Sequence, residues 1–188
     1  FQTHIFEPGA HPPAAHVATH TTTAAYEDHA ALTAFANSVD VVTYEFENVP
    51  AEALDLIESL CPIRPNRRAL SVSQDRLTEK TFLQDLGIAT APFADITSVE
   101  DLTQAIATIG TPSILKTRRF GYDGKGQVRL SAETDPAQAL ADLNNAAAIL
   151  EGFVPFTKEV SVIAARGLTG DIACFDPGEN VHRDGILH

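Results

Sequence analysis

LKTRRFGYDGKGQ, residues 115–127, and ILEGFVPFTKEVSVIAAR, residues 149–166, decide how this chain is read. The first is an apolar run ending in Lys116 and then a loop with Gly121, Gly124 and Gly126; the second is a hydrophobic stretch carrying Glu151 and Glu159. Glycines let a backbone turn tightly and bring its N–H groups up to a polyphosphate, an approach that a Cβ would obstruct. Lys116, at the end of the run Ser-Ile-Leu, adds positive charge. The segment is not a Walker A loop, because Lys125 is followed by Gly126 rather than Ser or Thr. It is not a dinucleotide fingerprint either, since Val128 to Leu130 reads as a strand and not as a helix. Taken alone, three glycines in six residues fit a hairpin turn better than a phosphate loop. Only the flanking lysine and glutamates tilt the reading toward a nucleotide.

Outward from this loop, the pattern is a small α+β unit. Ser98 caps a helix over VEDLTQAIATI that Gly110 stops, and the strand SILKT follows. After the glycine loop come the strand GQVRL, a helix opened by Asp135-Pro136, the strand AAILEGF and an alternating strand KEVSVIAARG. The glycine loop therefore joins two strands as a hairpin. Upstream, QDRLTEKTFLQDL from Ser73 predicts a capped helix ending near Gly87, with Pro92 breaking the chain and a domain boundary between about residues 70 and 95. The first seventy residues alternate strand and helix signals, THIF, then a helix over 28–37, then VDVVTYEF and a helix over AEALDLIESL, which argues for parallel βα units. Glu45 and Glu47 then lie at the C-terminal end of a strand, the edge where open α/β sheets bind ligands. The His-, Thr- and Ala-rich stretch before residue 28 reads as loop, and His16 and His20 lack the carboxylate partner that a metal site would need.

Composition narrows the partners. The 188 residues carry 13 Lys and Arg against 25 Asp and Glu, and a net charge of -12 opposes binding to a nucleic-acid backbone. The basic residues are nevertheless grouped, with Arg64, Arg67, Arg68, Arg76 and Lys80 in one region and Lys116, Arg118, Arg119 and Lys125 in another. In an acidic chain such groups suit a local anionic ligand, or else a solvated charged face. No apolar run approaches the roughly 18 residues that cross a bilayer, and the first residues lack a signal-peptide pattern, so no membrane and a cytoplasmic location are expected. Cys61 and Cys174 sit beside apolar residues and are expected in the core. Position 1 is not Met, and the chain opens directly on a strand-like segment, so it is expected to enter a domain partway.

The segments QDRL at 74–77, LKTRRFGYDGKGQ, EGFVPFTKEVSVIAARG and ENVHRDGIL occur in the order seen in the ATP-grasp superfamily. Together with EFENVP at 45–50 they resemble its 5-(carboxyamino)imidazole ribonucleotide synthases over nearly the whole chain. The resemblance implies an α/β and α+β architecture: a remnant of a Rossmann-like pre-ATP-grasp domain over 1–72 whose first βα unit is missing, a linker helix and small lid lobe over 73–154, and the start of a large lobe over 155–188. It implies that Arg76 and Lys116 neutralise ATP phosphates and that Gly121, Tyr122, Asp123, Gly124, Lys125, Gly126 and Gln127 fold over them. Glu151, Gly152, Phe153 and Val154 would be the hinge that holds adenine, Glu159 would accept from the ribose hydroxyls and His182 would lie near the nucleotide. Tyr122, Asp123 and Lys125, with Glu45, would meet the second substrate, 5-aminoimidazole ribonucleotide.

The implied reaction uses ATP and bicarbonate to carboxylate that ribonucleotide in purine synthesis, with Mg2+ on ligands beyond these residues, no catalytic side chain assigned within them, and a homodimer as the assembly. A complete member extends at both ends, so an internal segment of such an enzyme is expected. Two other readings share the same residues. One is another ATP-grasp ligase, such as a formate-dependent transformylase or a biotin-dependent carboxylase; the other is a non-catalytic nucleotide-binding module.

Overall fold

A computed structural model describes residues 1–121, 125–183 and 186–187, and the chain divides into two units, Phe1–Ile88 and Ala89–His188. The expected roles of Tyr122, Asp123 and Gly124 lie outside the described residues.

In the first unit, β1 (His4–Glu7) pairs in parallel with β2 (His20–Thr23), joined through a 3-10 turn at Pro13–His16. The His- and Thr-rich stretch expected to be loop thus contains a strand; its three consecutive β-branched threonines, Thr21 to Thr23, suit extended backbone once β1 supplies a partner. Helix α1 (His29–Ala36) begins where the Asp28 carboxylate accepts from the Ala31 N–H at 2.9 Å. The expected strand VDVVTYEF does not form as one. Only Val42 makes a parallel bridge, to Ile63, with its N–H donating to the Pro62 carbonyl at 2.9 Å and its own carbonyl accepting from the Arg64 N–H at 2.8 Å. Three helices follow: α2 (Ala51–Glu58), α3 (Arg67–Ser73) and α4 (Arg76–Asp85). The helix expected from Ser73 forms as α4, capped by Asp75, which accepts from the Leu77 and Thr78 N–H groups at 3.0 and 3.2 Å; the sequence reading did not foresee α3, capped by Asn66, just before it. Gly87, at φ 74°, follows its end. Leu32, Phe35, Leu54, Ile57, Ile63 and Leu70 form the centre of this unit's core, with Cys61 among them.

The second unit is built on one antiparallel sheet in the order β3-β6-β4-β5, from β3 (Phe93–Ile96), β4 (Ser113–Thr117), β5 (Gln127–Leu130) and β6 (Ala148–Gly152). Helix α5 (Val99–Ile109) starts at Ser98, whose hydroxyl accepts from the Asp101 N–H at 3.0 Å, and stops at Gly110, where φ reaches 87°. Helix α6 (Pro136–Asp142) is capped by Asp135. The strand period of two sends Ile96, Leu115, Leu130, Ala148 and Leu150 to one face, where they are buried against Leu102 and Ala105 of α5 and Ala139 and Leu140 of α6. Short strands follow: β7 (Glu159–Ser161), β8 (Ala164–Arg166), β9 (Ile172–Cys174), β10 (Gly178–Asn180), β11 (His182–Arg183) and β12 (Ile186–Leu187). The single strand expected over KEVSVIAARG is therefore broken, because β7 pairs with β10 whereas β8 pairs with β9. Cys174, expected in the core, is exposed on β9, while Cys61 is buried as expected. Among the described residues no helix is long and apolar enough to cross a membrane.

Candidate nucleotide site

The face of the second unit's sheet away from α5 and α6 is chemically different. Register fixes its membership: Phe93 opposes Glu151, Asp95 opposes Ile149, Glu151 opposes Ile114, and Lys116 opposes Ile149 on one side and Gln127 on the other. Lys116 and Glu151 are diagonal neighbours on this face, and the lysine Nζ donates to the glutamate Oε2 at 2.9 Å. Glu151 is only 8% exposed, a charged group on β6, an inner strand of the sheet, with Phe93 and Ile114 beside it in register. Two residues on, Arg118 pairs with Asp95 at 3.3 Å across the same face. Arg129, opposite Ile114, lays its guanidinium over the Phe153 ring at 4.6 Å from the centroid.

The glycine loop leaves this face as a hairpin, as the sequence predicts. The Thr117 N–H donates to the Gly126 carbonyl at 2.8 Å, and Gly126 closes the turn at φ 69°, in the left-handed region. A Cβ at Gly126 would come within 2.7 Å of the Thr117 hydroxyl oxygen and 3.4 Å of the Gly121 Cα. Phe120 also takes a positive φ, 62°, and Arg119 stacks on its ring at 5.2 Å. Lys125 and Gln127 are exposed.

The hinge segment is tied down at its end. The Gly152 N–H donates to the Pro92 carbonyl at 2.9 Å and the Phe153 N–H to the Pro112 carbonyl at 3.2 Å, and the side chains of Phe153, under Arg129, and Val154 stay partly exposed. Further along, β7 and β10 place Glu159 opposite Asn180; the Glu159 Oε1 accepts from the Asn180 Nδ2 at 2.8 Å and lies 3.6 Å from the His182 Nε2. The structure thus brings the expected residues of this unit together in two pairs, Lys116 with Glu151 and Glu159 with His182.

Arg76 and Glu45 belong to the first unit. Arg76 is the first residue of α4, and Glu45 is exposed on the segment before the turn at Glu47 and Asn48. The basic group around it does not act as one patch. Arg67 donates to Asp55 at 3.0 Å, Arg64 donates to the Ile63 carbonyl at 2.7 Å, and Arg68 stacks on Phe82 at 5.5 Å.

Sequence reasoning grouped Arg118 with Lys116 but missed Asp95 and Arg129 as members of the charged face. Parity alone was enough to find Arg129, because Val128 and Leu130 alternate with it as the core-facing residues of their strand. Asp95 was not readable in this way, since its neighbour across the sheet is more than fifty positions away.

A charged sheet face beside a glycine hairpin, with a lysine fixed on the strand that leads into it, is an arrangement that suits an anionic ligand. The family model of the ATP-grasp domain matches residues 81–188, and that of the ribonucleotide synthetase preATP-grasp domain matches residues 1–74. The chain belongs to the ATP-grasp family. Among its relatives, the N5-carboxyaminoimidazole ribonucleotide synthase of Brucella melitensis is 52% identical over all of this chain and 52% of its own length. That of Pseudomonas aeruginosa is 46% identical over 86% of this chain and 45% of its own. The crystal structure of the N5-carboxyaminoimidazole ribonucleotide synthetase of Thermus thermophilus superposes with a TM-score of 0.91 at 42% identity, over 100% of this chain and 50% of that one. The Staphylococcus aureus N5-carboxyaminoimidazole synthetase complexed with ADP gives 0.93 at 36%, over 99% and 50%. The chain spans about half the length of the curated relatives it matches.

Proposed function

We propose that these residues belong to an enzyme that uses ATP and bicarbonate to convert 5-aminoimidazole ribonucleotide into 5-(carboxyamino)imidazole ribonucleotide, in purine synthesis. The observation that carries the reading is the Lys116 and Glu151 pair, which sets a cation on the strand entering the glycine hairpin and ties it to the hinge strand. Support comes from relatives that bear this name across the whole chain, one of them crystallised with ADP. In this reading residues 1–72 are the pre-ATP-grasp remnant, 73–154 the linker and lid, and 155–188 the opening of the large lobe.

The side chains divide the work. Lys116 and Arg76 lower the electrostatic cost of gathering the phosphates, and the glycine loop that runs from Gly121 through Tyr122, Asp123, Gly124, Lys125 and Gly126 to Gln127 serves the same phosphates and shields the site from water. The backbone of Glu151, Gly152, Phe153 and Val154 holds the adenine edge while the apolar side chains cover its face. Glu159, its Oε1 held by the Asn180 Nδ2 at 2.8 Å, accepts from ribose hydroxyls, and His182 lies near the nucleotide. Glu45, Tyr122, Asp123 and Lys125 receive the ribonucleotide. The terminal phosphoryl group passes to a bicarbonate oxygen, giving ADP and carboxyphosphate. The exocyclic amine then takes the carboxyl carbon as phosphate departs, and loses a proton. A dry site lets the labile intermediate survive.

Among the described residues, no group of three or more His, Cys, Asp and Glu side chains could hold a metal ion. Mg2+ enters the proposal only as an ion held elsewhere, and no step is routed through it. A cytoplasmic homodimer completes the reading.

The test is ATP hydrolysis by the intact protein with the ribonucleotide and labelled bicarbonate present. Label retained in the ribonucleotide and hydrolysis stimulated by it are expected. Equal stimulation by formate, or ATP binding with no response to the ribonucleotide, would reject the assignment.

A further inference from the structure

We propose that Glu151 is a positioning residue for Lys116: its side chain, rather than only its backbone, braces the lysine so that the ammonium stands ready for a phosphate before any nucleotide arrives. The inference rests on the nucleotide reading above and deepens it. Three observations carry it. Glu151 is 8% exposed on β6, an inner strand of the sheet, where its register neighbours are Ile114 and Phe93. Its Oε2 takes the Lys116 Nζ at 2.9 Å, diagonally across β6 and β4. The lysine side chain keeps a quarter of its surface in solvent while the carboxylate keeps a tenth, so the pair is open on the side of the cation.

A buried ion pair contributes little to stability compared with apolar packing of equal volume, because desolvation offsets the attraction. The pair is also neutral overall, so it does not raise the pull on an anion. What it supplies is order. A lysine carries a long, freely rotating stem, and the freedom lost on fixing it to a phosphate is removed in advance when Glu151 already holds it. Because β6 continues into the hinge, the same glutamate couples the end of the site that reads the base to the end that reads the phosphates.

The experiment is a set of binding titrations on the intact protein with ATP, ADP and adenosine, for wild type, Glu151→Leu, Glu151→Gln, Lys116→Met and the Glu151→Leu/Lys116→Met double variant. Glu151→Leu is expected to weaken ATP and ADP by roughly threefold to tenfold, the cost of ordering one long side chain. Adenosine is expected to bind unchanged, while thermal stability falls in the leucine variant, where Lys116 loses its partner, and recovers in the double variant, where the whole pair is replaced by apolar side chains. In the Lys116→Met background the second substitution is expected to add nothing. Glu151→Gln keeps the shape and an acceptor oxygen, so it gives a smaller loss and serves if the leucine variant does not fold. A loss shared equally by adenosine, a loss that persists without Lys116, or no loss for ATP would each overturn the brace alone. An intact protein that binds no ATP would overturn the nucleotide reading and the brace together.

Discussion

Gly126→Ala is the perturbation whose size can be worked most directly from the geometry. Gly126 sits at φ 69°, and placing an L side chain there costs ~1–2 kcal/mol from the clash of Cβ with backbone. The new Cβ also falls 2.7 Å from the Thr117 Oγ1, so the hydroxyl must leave its rotamer, at ~0.5–1.5 kcal/mol. The Gly121 Cα at 3.4 Å on the other side leaves little room for the loop to retreat. Together these give a loss of about 1.5–3.5 kcal/mol in the second unit. The loss is read from denaturant unfolding followed by circular dichroism. Thr117→Ala removes the clashing oxygen but not the unfavourable φ, so in that background Gly126→Ala costs only about 1–2 kcal/mol. ATP affinity falls in parallel, because the Thr117 N–H to Gly126 carbonyl bond that closes the hairpin is displaced. Stability held to within about 0.5 kcal/mol of wild type, or a cost unchanged by Thr117→Ala, would refute the reasoning.

Leu102, fully buried between α5 and the sheet, should cost about 2–5 kcal/mol on conversion to alanine, measured as a lowered unfolding midpoint. Asp75→Ala removes the acceptor of two helix N–H groups and should cost about 0.5–2 kcal/mol while loosening Arg76, seen as faster amide exchange at Leu77 and Thr78. His4 is held below its ordinary pKa by burial first and by the neighbouring His20 second, so the folded first unit favours the neutral ring. Its contribution is complete above about pH 6.5 and is lost as pH falls through the lowered folded value, so unfolding midpoints should drop on acidification and His4→Phe should flatten that slope.

Local signals in the sequence were dependable where one residue decides the outcome. Ser98 and Asp135 cap their helices and Gly110 ends one, because each acts on N–H groups or backbone angles within three positions. Partner-dependent features were not readable in the same way. Val39 to Phe46 has the composition of a strand, yet only Val42 finds a bridging partner, and the threonines after His20 become a strand because β1 lies alongside. The candidate site divides along the same line. Lys116, Gly126 and Glu151 could be singled out from their order along the chain once the family resemblance was added, whereas their shared sheet face, with Asp95 and Arg129, is set by register between distant strands.

The two-sided sheet of the second unit also bears on which changes in chain length the fold tolerates. Within β6, Leu150 faces the helices and Glu151 the charged side, so one residue gained or lost there would turn the carboxylate into the core and the leucine outward. Insertions are absorbed instead in the connections, such as the exposed turn at Ser131 to Thr134. Over evolutionary time, β4 and β6 must therefore diverge by substitution alone, while the turns between strands are free to change in length.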